Sequence, residues 1–129
     1  MRKSKNKSLA KKKADKYFSL YIRHKNSKNG VCRCITCGSW HDVKSIHTGH
    51  FISRRYEATR YDEKNCAPQC VACNTFNQGK QFEFGLAIDK KYGKGTAEKL
   101  LQKSKMICKR KQFDYEMIAK EYKEKYEST

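Results

Sequence analysis

Two Cys-x2-Cys pairs, Cys34-Ile-Thr-Cys37 and Cys70-Val-Ala-Cys73, constrain this chain more than any other feature. Each pair offers two thiolates from one turn, and four thiolates complete a closed tetrahedral zinc site. The stretch between the pairs is longer than the loop of a simple zinc ribbon. The metal is therefore expected to staple the chain around an inserted element. With 37% hydrophobic and 33% charged residues, 129 residues can bury only a thin core, and a structural metal is one remedy for a thin core. An odd total of seven cysteines in this spacing fits a reducing compartment and metal binding better than a disulfide framework. Cys32, Cys66 and Cys108 are expected to be free thiols, although Cys32 lies close enough to Cys34 to compete as a ligand at a less usual spacing.

The charge constrains the partner. Thirty Lys and Arg stand against 13 Asp and Glu, a net charge of +17. Such an excess favours a polyanion through counterion release, with DNA the first candidate and an anionic membrane surface the second. The chain has no long apolar run, and no signal-peptide pattern follows its basic start, so a soluble intracellular protein is expected, not a membrane one.

Read in order, residues 1–8 form a basic arm expected to be flexible. The remainder, 9–129, is expected to be one small α+β domain. It divides into an N-terminal basic helix (9–28), a zinc-stapled ββα unit (31–85) and C-terminal helices (86–129). In the first helix, Ala10, Ala14, Tyr17, Phe18, Tyr21 and Ile22 recur at helical spacing and mark a core face. Lys12 and Lys13 lie on the other face and are candidates to meet DNA. Gly38, directly after Cys37, suits the tight turn of a zinc knuckle. Trp40, the single tryptophan, is expected to pack beside the zinc rather than bind a base. Residues 43–52 read as a strand. His47 and His50 would face opposite sides of a straight strand, so a bulge at Gly49 is expected to bring the rings together. A polar loop with three arginines follows, then a short strand over 65–69 and a helix launched from Asn74 to about Phe84. Helices are expected over 84–92, 96–105 and 114–126, the last with Tyr115, Ile118, Ala119 and Tyr122 on one stripe.

Phosphodiester hydrolysis needs an activated water, stabilisation of the charge building on phosphorus, and help for the leaving oxygen. An imidazole can take the water's proton near neutral pH. A hard divalent cation, held by few protein ligands, can serve the other two needs. His50 suits the base. Asn74, fixed by its place directly after Cys73, suits the metal. Asn65 can pin the loop that presents His50. His47 is either a second metal ligand or an ordinary strand residue. Arg54, Arg55 and Arg60 can clamp phosphates through their planar guanidinium groups. Nothing resembles a base-reading helix, which favours recognition of DNA shape over sequence.

Taken together, Cys34-x2-Cys37, Gly49-His50-Phe51-Ile52-Ser53-Arg54-Arg55, Ala58-Thr59-Arg60-Tyr61-Asp62, Asn65 and Gln69-Cys70-x2-Cys73-Asn74 resemble the lambdoid phage NinG (Rap) recombination protein family. That family is similar to the wider HNH, or ββα-metal, endonucleases. The resemblance implies a zinc-knuckle-stapled HNH-like core with flanking helices, His50 as general base, Asn65 as the middle asparagine and Asn74 as metal ligand. It also implies cleavage of branched recombination DNA, such as Holliday junctions and D-loops, with Mg2+ or Mn2+, in the cytoplasm of a bacterial host. A symmetric junction is most simply met by a homodimer. The chain departs from the wider pattern at Gly49, where many members carry an Asp ligand; His47, Asp62 or Asp42 is expected to substitute, His47 first. The rival reading is a non-catalytic, zinc-dependent DNA-binding accessory to recombination.

Overall fold

The computed structural model describes the backbone of residues 2–129 and the side chains of residues 5–129. Helix α1 (Arg2–Lys25) is rich in Lys, contains neither Gly nor Pro, and buries Ala14, Phe18 and Ile22 at four-residue spacing. It starts well before residue 9. Met1 lies outside the described residues, and the rest of the stretch expected as a flexible arm is the opening of this helix. At the C-terminal end, Asn26 Nδ2 donates to Ile22 O (2.7 Å) and Ser27 Oγ to His24 O (2.7 Å), so side chains satisfy carbonyls that the helix leaves orphaned.

The buried face of α1 packs on α5 (Gln112–Glu127), which contributes Tyr115, Ala119 and Tyr122 to one cluster. The Phe18 ring meets Tyr61 and Tyr122 edge-on, with centroids 5.5 and 4.9 Å apart. Burying such a ring contributes about 1.5–3 kcal/mol, and the edge geometry adds to it. At its start, α5 is capped by Asp114, whose Oδ2 accepts from Lys111 N at 2.7 Å.

In the sequence between these two helices lie two small antiparallel sheets. Strands β1 (Val31–Arg33) and β2 (Trp40–Asp42) flank the first cysteine pair, with Cys32 opposite His41. Strands β3 (His47–His50) and β4 (Cys66–Gln69) pair His47 with Gln69 and His50 with Cys66. The strand expected over 43–52 is thus broken. Asp42 opens a turn: its Oδ1 accepts from Lys44 N (2.8 Å) and its carbonyl from Ile46 N (3.0 Å). That turn drops Val43 and Ile46 into a pocket of core with Cys32. The expected bulge at Gly49 does not form, because every β3 residue has one partner on β4. Gly49 serves a different need: a Cβ there would overlap the side chain of Gln69.

Beyond β3, a short helix α2 (Glu57–Arg60) and a 3-10 turn (Glu63–Asn65) return the chain to β4. The second cysteine pair runs into a single π-helical turn, Ala72–Phe76, and the chain then breaks. Gln78, Gly79 and Lys80 all have positive φ (54°, 82° and 46°). The helix expected over 74–84 is interrupted because Gly79 turns back on the knuckle: its N–H donates to Cys73 O (2.8 Å), and its carbonyl accepts from Gln69 Nε2 (2.7 Å). Helix α3 (Gln81–Tyr92) begins only after this turn, and α4 (Thr96–Ser104) follows. Phe84, Ile88 and Leu100 form a second cluster with Ile52 and Ala67 behind the strands.

Candidate functional site

The sulfurs of Cys34, Cys37, Cys70 and Cys73 lie within 4.8 Å of one another. A zinc–sulfur bond of about 2.3 Å in a tetrahedron requires sulfurs about 3.8 Å apart; Cys37 Sγ and Cys70 Sγ are separated by 3.8 Å. Gly38, at φ +79°, closes the first knuckle by donating to Cys34 O at 2.9 Å. Burial alone would raise the Cys34 thiol, but backbone N–H groups of Cys70, Cys37 and Thr36 and the Thr36 hydroxyl bring it down to about 6. Burial, with other sulfurs alongside, pushes Cys73 up to about 12. A fourth thiolate among three others is costly without a cation and favourable with one. The four cysteines therefore fit a structural zinc. Cys32 is not part of the cluster; its Sγ donates to Arg23 O at 3.2 Å. Cys66 and Cys108 also lie outside it.

A cavity of about 500 Å³ opens beside β3 and is lined by His47, His50, Asn74 and Arg54, and by Asp15, Ser19 and Arg23 of α1. Three of the expected site residues, from β3 and from the turn after Cys73, thus reach one space without a bulge. The His47 ring and the Asn74 amide meet directly, Nδ1 to Nδ2 at 3.1 Å.

His50 Nε2 lies 3.3 Å from Arg60 O. A carbonyl only accepts, so Nε2 carries the proton and Nδ1 is the ring's free acceptor. Burial, and then the Arg54 charge, lower His50 to about 4, so the ring is neutral at physiological pH. Asn65 is fully buried and pins the chain that leaves His50. Its Oδ1 accepts from Ile52 N (2.8 Å), and its Nδ2 donates to Ile52 O (3.0 Å) and Thr59 O (3.2 Å). The loop between β3 and β4 is thereby closed by one amide.

The arginines divide. Arg54 is exposed and lines the cavity. Arg55 is exposed on the same loop, over the Tyr56 ring at 5.3 Å. Arg60, expected to clamp phosphate, is committed elsewhere. Its Nε and Nη2 donate to the two carboxylate oxygens of Asp15 (2.9 and 2.6 Å), and its Nη1 donates to Arg54 O (2.7 Å). Burial alone would raise Asp15, but the Arg60 and Tyr61 hydrogen bonds more than offset it and hold its carboxyl below the ordinary value. This half-buried pair ties α1 to the loop that carries Arg54. Lys12 and Lys13 are exposed on α1 but do not line the cavity.

Of the three substitutes considered for a ligand at position 49, only His47 lines this cavity. Asp62 is paired with Lys103 Nζ at 2.7 Å, and Asp42 is used in its own turn. Gly49 itself is buried against Gln69, whose Nε2 also donates to Thr36 Oγ1 at 3.2 Å. Sequence reasoning missed Ser19 and Arg23, although a signal existed: Asp15, Ser19 and Arg23 recur at four-residue steps beside the apolar stripe of α1. Arg23 is braced by Val43 O (3.3 Å) and Ile46 O (3.4 Å) and has no carboxylate partner among the described residues. Trp40, expected beside the zinc, is instead 61% exposed.

Residues 1–129 match the sequence model of the family described as bacteriophage lambda NinG protein, and the chain belongs to that family. No curated protein and no solved structure matches it.

Proposed function

We propose that this NinG-family chain is a metal-dependent endodeoxyribonuclease of the His-Asn-His kind, acting on branched recombination intermediates such as Holliday junctions and D-loops. The observation that carries this reading is the state of His50. Its Nε2–H is spent on Arg60 O, which leaves Nδ1 to take a proton from an attacking water. After burial, Arg54 is the largest of the causes that lower its basicity. A phosphate seated on Arg54 would offset that cause, so substrate itself would raise His50 towards the range where a base works best.

Mg2+ or Mn2+, when bound, supplies stabilisation of charge on the scissile phosphate and on the leaving oxygen. His47 and Asn74 would hold it, once the contact in which Asn74 Nδ2 donates to His47 Nδ1 gives way and frees an imidazole lone pair. Two donors suit a hard cation that takes its remaining ligands from phosphate and water, so metal is expected to bind well only with DNA present. Arg54 and Arg23, the two guanidinium groups of the cavity, would orient the flanking phosphates. The chain's shortage of base-reading groups and its charge of +17 support recognition of DNA shape.

The test is cleavage of a labelled four-way junction, a linear duplex and a single strand at about 150 mM salt, with Mg2+, Mn2+ or EDTA. Junction cleavage is expected only with metal and is expected to fall about 10²–10⁴-fold in His50→Ala, with junction binding retained. His47→Ala is expected to raise the Mg2+ requirement more than it weakens DNA binding. Tight junction binding by the wild type without cleavage in either metal overturns the nuclease and leaves an accessory DNA-binding protein.

A further inference from the structure

A second groove, of about 530 Å³, runs beside the cysteine cluster and shares no lining residue with the histidine cavity. We infer that it is a separate site for an unpaired DNA nucleotide, with the base stacked on Trp40 and the phosphates held by Lys28, Arg33, Lys90 and Lys91. This rests on the reading of the chain as a DNA-binding protein but not on its being a nuclease.

Three observations support it. The groove is lined by those four cations and by no carboxylate. Several cations elsewhere are paired: Lys11 and Arg110 with Glu57, Lys25 and Lys125 with Glu63, Lys103 with Asp62, and Arg60 with Asp15. Among the described residues, the groove's four cations have no such partner. Cys34 and Cys37 also line the groove. A zinc ion with four thiolates carries a charge of about −2, so the four cations still leave the groove positive.

The second observation is Trp40. This indole is 61% exposed on β2, opposite Arg33 in the register, and it lines the basic groove; Phe76, Phe82 and Phe113 are more exposed still but do not line it. Ile35 and Pro68 add an apolar lining to the same groove. A basic groove with one exposed aromatic is the arrangement that tracks a backbone and stacks a base, tolerant of sequence because every base has a π-face. A base inside a duplex is already stacked on both faces, so the indole selects unpaired nucleotides.

Third, the groove is built to stay open. Arg33 is steadied by donating from Nε to Gly38 O at 3.0 Å, and Lys91 by donating to Asn26 Oδ1 at 3.4 Å. Its volume is in the range that takes a nucleotide-sized ligand.

Trp40 is the only tryptophan in the chain, so tryptophan fluorescence reports this groove alone. The zinc-loaded full chain would be titrated with oligothymidylate and with a duplex of equal phosphate count at about 150 mM salt, while anisotropy of the labelled DNA is followed in parallel. Saturable quenching by the single strand is expected, with little by the duplex. Trp40→Ala is expected to weaken oligothymidylate binding about tenfold, Trp40→Phe much less, and Lys90→Ala with Lys91→Ala to flatten the salt dependence. Zinc content and circular dichroism check that the variants are folded. Equal quenching by duplex overturns base stacking and leaves a phosphate groove. Binding by anisotropy with silent fluorescence overturns the groove but not the proposed function, whereas no binding to any DNA, junction included, overturns both.

Discussion

The cysteine cluster and the histidine cavity share the strand pair β3–β4 and are built on opposite plans. The cysteine cluster closes on itself: four like donors come within 4.8 Å, and backbone N–H groups already lower Cys34. The histidine cavity is open: His47 and Asn74 are two unlike donors, and among the described residues His47 belongs to no cluster of three His, Cys, Asp or Glu. A site that completes its own coordination needs nothing further and serves the fold. One that stops at two donors and a neutral imidazole is finished only by what binds there. The difference teaches which polar groups of a small basic protein hold it together and which are kept free.

The largest effect should come from opening the closed site. Cys70→Ala is expected to abolish stoichiometric zinc and cooperative folding together, since structural zinc binding contributes on the order of 10 kcal/mol in small zinc domains; metal analysis with thermal unfolding would check it. A variant that loses zinc yet melts as the wild type does would break the contrast between the two regions.

Next comes the amide that closes the loop between β3 and β4. Asn65→Ala strands the Ile52 N–H and two buried carbonyls, at a cost of about 3 kcal/mol. Denaturant unfolding should show that loss with zinc content unchanged. Asn65→Asp keeps the acceptor for Ile52 N and should recover part of it.

The smallest effect sharpens the account of His50. Its folded value of about 4 lies below the 6.5 of an ordinary histidine, so the unfolded chain takes up the proton first as pH falls. The contribution of the neutral ring is complete above 6.5 and is lost between 6.5 and about 4. Between pH 7 and pH 5 the wild type should lose about 2 kcal/mol through this group. His50→Gln should lack that part of the slope, as urea titrations at the two pH values would reveal.

Much of this was legible in the residues themselves. The apolar stripes of α1 and α5 follow helical spacing, and they pack on each other as that spacing implies. The cysteine spacing gave the cluster, and Asn65 performs the loop-pinning role its position suggested. The extended strand over 43–52 and the continuous helix from Asn74 were misread for one reason. Both are interrupted by hydrogen bonds to a single polar residue, Asp42 in one case and Gln69, acting through Gly79, in the other. Such bonds leave no periodic trace. Arg60 was misread because its partner, Asp15, is remote in sequence and meets it only when α1 docks.

The order of residues was enough for the local chemistry: which cysteines gather, which helical faces are apolar, and that an excess of cations seeks a polyanion. These follow from spacing and composition, because short-range geometry is fixed by the backbone. Only the tertiary structure decided which charges are spent and which are free. Arg60 is neutralised by a carboxylate from α1, Arg54 is left to the cavity, and Trp40 stands exposed among unpaired lysines and an arginine. Those outcomes depend on distances between segments far apart in the chain, and electrostatic and stacking interactions fall off too steeply with distance for sequence order to reveal them.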